Sequence, residues 1–95
     1  MTNTAQLFTL GRTLITATAQ AAVEELQLDA LVFIRRHHSG DWGDLCAADQ
    51  AANVEAITTG SGRLFSSYKV NDEVTLYVVT EADRSATTVM LSTDY

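Results

Sequence analysis

The stretch that most constrains the fold is residues 63–92. Three runs there, RLFSSYKV, VTLYVVTE and ATTVMLS, are rich in β-branched and aromatic residues, which pack well on a pleated surface. The first alternates Leu64, Ser66 and Tyr68 against Phe65, Ser67 and Lys69, the period of a strand with one buried face. VNDE carries turn residues between the first two runs, and EADRS has the length of a tight connection before the third. Short links join antiparallel neighbours. This pattern predicts a three-stranded antiparallel β-meander. Such a sheet must bury its apolar face against another layer, so helices are expected ahead of it.

The preceding residues supply them. Thr16 is placed to cap a helix through ATAQAAVEELQ, where Ala, Glu and Leu favour the α-state. Asp29 is a second cap, opening ALVFIRRHH. Its Val32-Phe33-Ile34 run is β-prone, so propensity alone leaves the segment between helix and strand; its basic end would suit a helix C-terminus, and Ser39-Gly40 stops it. A third helix is expected over CAADQAANVEAITTG, with Asp44 or Cys46 as N-cap, Leu45, Val54 and Ile57 as an inward stripe, and Gly60 just past the end. Residues 5–15, AQLFTLGRTLI, mix alternation with a glycine and give no assignment. The expected class is α+β, two or three helices followed by the meander.

Ninety-five residues, 46% hydrophobic and 19% charged, make a single globular domain spanning residues 1–95. The net charge of −6 falls entirely on the later part. Residues 41–95 hold Arg63, Lys69 and Arg84 against nine acids, whereas residues 1–40 balance. An acidic chain is repelled by nucleic acid backbones and anionic lipid, which disfavours both as partners. No run is apolar enough to span a membrane. A single cysteine, Cys46, excludes an intramolecular disulfide and a thiolate zinc cluster. MTNTAQLFTLGR lacks the basic start and apolar core of a signal peptide, so a cytoplasmic location is expected. Without a glycine-rich phosphate loop, a nucleophile elbow or a zinc-ligand quartet, no cofactor and no metal are expected.

One segment concentrates chemistry. RRHHSGDWGDL, residues 35–45, holds two arginines, two histidines, two aspartates and a tryptophan. As a corner between helices, Asp41 would bond local amides, Trp42 would plug the core, and Asp44 would cap the next helix. As a site, Arg35, His37, His38, Asp41, Trp42 and Asp44 would meet Asp83 and Arg84 of TEADRS. Histidine beside carboxylate serves acid–base chemistry, and arginine holds phosphate or carboxylate. The two segments are expected to form one surface. Arg35 or Arg36 would stand near Asp83, or Arg84 near Asp41 or Asp44, as a clasp with His37, His38 and Arg84 on its rim.

LGR near the start, RRHHSGDWGDL, Asp49 with Asn53, GRLFSSY, and TEADRSATTVML followed by the final Tyr95 together resemble a small family of uncharacterised bacterial proteins. Its members are found mostly on plasmids and other mobile or integrated elements and are described as plasmid-related proteins. The resemblance covers most of the chain and favours the helical reading of residues 29–37. It lends no activity.

These observations favour a small, acidic, non-catalytic binding or regulatory protein that acts by contact with a protein partner. The resemblance implies a host-defence or element-encoded target. The enzymatic alternative is a small hydrolase or nuclease using the His/Asp/Arg constellation. A third class is a structural partner whose strand edge pairs with another chain, including a second copy.

Overall fold

Residues 7–95 are described by a computed structural model; residues 1–6, part of the stretch on which the signal-peptide argument rests, lie outside the described residues. The elements run β1 (Arg12–Ile15), α1 (Ala17–Glu25), α2 (Ala30–His38), α3 (Ala47–Thr59), β2 (Leu64–Lys69), β3 (Thr75–Thr80), β4 (Ala86–Leu91) and a closing 3₁₀ turn, Ser92–Asp94. The helix starts follow local chemistry. The Thr16 hydroxyl accepts from the Ala19 amide, and the Asp29 carboxylate accepts from the Leu31 amide. Cys46, not Asp44, is the N-cap residue of α3, and Gly60 ends that helix in the left-handed region at φ 74°.

The α+β class holds, but the three-stranded antiparallel meander is incomplete. The sheet has four strands in the order β1-β4-β3-β2. β2, β3 and β4 form the antiparallel part, with Leu64 opposite Thr80 and Val78 opposite Val89. β1 adds in parallel to β4, with Arg12 opposite Ala86 and Ile15 opposite Val89. The missed strand is four residues long and mostly exposed. Its pairing partner lies at the other end of the chain, so no local pattern announces it. Gly11 precedes it at φ 67°, and a Cβ there would collide with the Ser85 carbonyl, so glycine lets the chain enter against the β3–β4 turn.

One sheet face carries the core. Tyr68, Leu76, Val78 and Val89 pack against Ala19 and Val23 of α1 and Phe33 and Ile34 of α2, and Leu64 is fully buried on β2. The expected inward stripe on α3 is corrected. Val54 is 56% exposed, and the buried residues of that helix are Asn53 and Ala56. The reason is position: α3 reaches the edge of β2, where backbone groups need a polar partner. Among the described residues, no helix is long and apolar enough to cross a membrane.

Candidate functional site

The two adjacent histidines separate completely. Successive helical residues point about 100° apart, so α2 turns His37 into the protein and His38 toward its rim. His37 is wholly buried. Its Nδ1 lies 2.6 Å from Ser66 Oγ and its Nε2 2.9 Å from Thr80 Oγ1. Thr80 Oγ1 is 2.8 Å from Thr87 Oγ1, which donates to the Leu10 carbonyl at 2.8 Å. One hydrogen per hydroxyl orients the whole chain. Thr87 gives its hydrogen to Leu10, so it accepts from Thr80. Thr80 then accepts from His37 Nε2–H. Burial keeps the ring neutral, so its one proton sits on Nε2 and Nδ1 accepts from Ser66. Burial lowers its pKa to about 4, with the neighbouring His38 as the smaller cause. A base so placed has no open side toward a substrate.

His38 donates through Nε2 to the Phe8 carbonyl at 2.8 Å. Phe8 stands edge-on to both histidines and stacks on Trp42. Trp42 is 6% exposed and meets His37 edge-on at 5.6 Å between ring centres. The tryptophan thus belongs to a small aromatic lid over the buried imidazole.

Behind it, the loop builds a polar knot. Arg36 Nε donates to Asp41 Oδ2 at 2.6 Å, and Asp41 Oδ1 accepts from the Gly43 amide. The Arg36 guanidinium lies 4.4 Å from the centre of the Tyr68 ring, and the Tyr68 hydroxyl donates to the Asp41 carbonyl. Arginine hydrogen bonding, more than any other cause, holds the Asp41 carboxyl below its usual range and raises Arg36. Burial pushes the Tyr68 phenol up to about 12.

The same loop seals the outer edge of β2. Ser67 donates to the Trp42 carbonyl and accepts from the Asp44 amide. Asp44 Oδ2 accepts from the Lys69 amide at 2.8 Å. Further along, buried Asn53 imitates a strand. Its Nδ2 donates to the Phe65 carbonyl and its Oδ1 accepts from the Phe65 amide. Gly43, at φ 75°, makes an isolated bridge to Ser67, and a Cβ there would strike the Ser67 carbonyl and the Tyr68 ring. Asp44, expected as a helix cap, is an edge cap instead.

The predicted clasp is absent. Arg36 pairs with Asp41 inside its own loop, and no ion pair among the described residues joins residues 35–45 to residues 81–85. Asp83 is exposed and accepts from the Ser85 amide. Hydrogen bonding from Ser85, side chain first and then backbone, holds its carboxyl below the usual range. Arg84, in the left-handed region at φ 62°, turns its guanidinium onto carbonyls: Ala56 and Gly62 at the end of α3, and Glu81 and Ala82 in its own turn. It neutralises the carbonyl end of α3. The physical reason is topological: residues 81–85 sit at the Leu64–Thr80 end of the sheet, while the loop runs along Ser67–Lys69. Arg35 is exposed. Of the expected set, the structure gathers His37, His38, Asp41, Trp42 and Asp44 with Arg36 and Tyr68, and leaves Asp83 and Arg84 elsewhere.

The sequence marks Asn53 only as part of the resemblance and assigns no role to Ser66, Thr80 or Thr87. Ser66 and Thr80 occupy inward positions of strand-like runs, and a hydroxyl on an apolar strand face is the signal that a buried polar partner is waiting. Among the described residues no three histidine, cysteine or carboxylate side chains converge as metal ligands. No protein-family model, curated protein or solved structure matches the chain.

Proposed function

We propose that the chain is a small acidic binding protein that acts by contact with a protein partner and not by turnover. One contrast carries the reading. The histidine best placed for acid–base chemistry is enclosed with both ring nitrogens engaged, while eleven of the twelve acidic side chains are exposed and Glu81 is half-buried. An acidic surface of this kind complements a basic protein face, steers association and resists nucleic acid. The target implied by the family resemblance is a host-defence or element-encoded protein. Self-association through a strand edge belongs to the same reading.

The test is capture on immobilised protein from a host lysate at low salt, followed by direct binding of the purified partner. A basic protein is expected, released by raised salt and bound more weakly by an Asp49→Lys/Glu55→Lys variant. Turnover of a generic ester or of plasmid DNA, abolished by His38→Ala, would overturn the reading in favour of a hydrolase or nuclease.

A further inference from the structure

The two edges of the sheet are treated oppositely, and the untreated one has a shape that fits itself. β1 is the outer strand beside β4. Arg12 and Thr16 donate inward, to the Ser85 and Val89 carbonyls. Strand alternation therefore turns the amides and carbonyls of Thr13 and Ile15 outward, and among the described residues none pairs with them. Shortness, at four residues, is the one protective feature of this strand. There is no proline, no bulge and no inward charge, the devices that usually protect an edge. Leu14 is 41% exposed on the face away from the helices. On the helix side, a groove of about 180 Å³ runs between β1 and α2, walled by Thr13, Ile15, Ile34 and Leu31. Leu31 is 50% exposed and its neighbour Val32 46%.

Charge selects the occupant. Arg12, at the start of β1, is exposed and makes no ion pair among the described residues. At the other end, the Asp94 carboxylate is held on the strand terminus by the hydroxyls of Thr16 and Thr18 and by the Leu91 amide. The strand thus ends in a cation on one side and an anion on the other, with a leucine midway. A strip with that order is complementary to its own antiparallel copy.

We propose that two copies of this chain pair antiparallel through β1, about a two-fold axis at Leu14, making one continuous sheet from the four strands of each. The inference deepens the strand-edge contact proposed above and rests on it. The register follows from the outward groups. Hydrogen-bonded positions must match Thr13 with the partner's Ile15 and the reverse, because only those residues present free donors and acceptors. Leu14 then faces the partner's Leu14 as a non-hydrogen-bonded pair, with Cα atoms about 4.5 Å apart. Arg12 falls opposite the partner's Thr16, on the face where Asp94 is anchored, and symmetry makes this ion pair twice. Ile15 extends each copy's groove wall, so the apolar strip between β1 and Leu31 is covered.

The test combines mass and cross-linking. Sedimentation equilibrium on the full chain from about 1 μM to about 1 mM spans weak to moderate dimers. A concentration-dependent dimer is expected, weakened roughly tenfold or more by Arg12→Glu and restored by Arg12→Lys. In a Cys46→Ser background, Leu14→Cys places two thiols across the axis within disulfide range. It is expected to form a covalent dimer on oxidation at least about tenfold faster than the exposed Val54→Cys control. A monomer throughout the range, a dimer indifferent to Arg12→Glu, or equal oxidation of the two cysteine variants overturns the proposal. A monomer that still binds a basic partner in a salt-sensitive way overturns the self-pairing alone and leaves the contact reading standing.

Discussion

The edges at β2 and β1 answer the same physical problem in different ways. Each presents backbone donors and acceptors that need partners. At β2, every outward amide from Phe65 to Lys69 is bonded within the chain, by Asn53, by the Trp42 carbonyl and by the Asp44 carboxylate. At β1, Thr13 and Ile15 face outward with nothing beside them among the described residues. The decorated loop, read alone as a helix corner or a binding site, is the device that closes one edge. Its aspartates and glycines serve backbone geometry, and its tryptophan lids a histidine. Among the described residues, one edge is closed and the other is left plain.

Breaking the closed edge is expected to cost most at Trp42. Trp42→Ala removes a buried aromatic that packs on His37 and Phe8, with an expected loss of about 3–5 kcal/mol by chemical denaturation. A loss under about 1 kcal/mol would mean that the loop is held by its polar bonds alone.

His37→Leu comes next. It leaves the buried hydroxyls of Ser66 and Thr80 without their imidazole partner, and about 2–4 kcal/mol of destabilisation is expected at pH 7. The wild type carries a matching pH signature. A histidine near 6.5 unfolded and about 4 folded binds more protons in the unfolded state across that interval. Stability is therefore full above about pH 6.5 and falls as pH drops toward 4, by about 3 kcal/mol over the window. Denaturation midpoints taken at several pH values should show this slope in the wild type and lose it in His37→Leu. An unchanged slope would assign the pH dependence to the carboxylates instead.

Asn53→Ala isolates the edge cap without touching the loop. It strips both partners from the Phe65 backbone, for an expected loss of about 2–3 kcal/mol. Asn53→Asp sharpens the result, since it keeps an acceptor for the Phe65 amide but meets the Phe65 carbonyl with no donor. Calorimetric melting that ranks Asp as equal to Asn would show that only the amide bond matters.

The mildest measurement compares the edges directly. In dilute protein, amide hydrogen exchange is expected to be at least about tenfold faster at Thr13 and Ile15 than at Phe65 and Ser67. Equal protection at both edges would erase the contrast.

Much of the fold was legible in the residues. Thr16, Asp29 and Gly60 punctuate helices through bonds to atoms a few residues away, and the alternation of Leu64, Ser66 and Tyr68 states which face is inside. Local chemistry sets these features, so one segment suffices to read them. β1 was not legible, because four mostly exposed residues become a strand only when β4 arrives beside them. The clasp between residues 35–45 and 81–85 failed for the same reason: opposite charge says that two segments are compatible, not that they meet.

The sequence by itself determined the caps at Thr16 and Gly60, the three antiparallel strands, the acidity and the place where polar chemistry gathers. Tertiary structure alone decided which of two neighbouring histidines lies inside, which edge is closed, and that Arg84 grips carbonyls and not a carboxylate. Caps and alternation act over a few residues along the chain. Burial and strand pairing depend on distances through space, which are set only once α2, α3 and β1 have docked on the sheet.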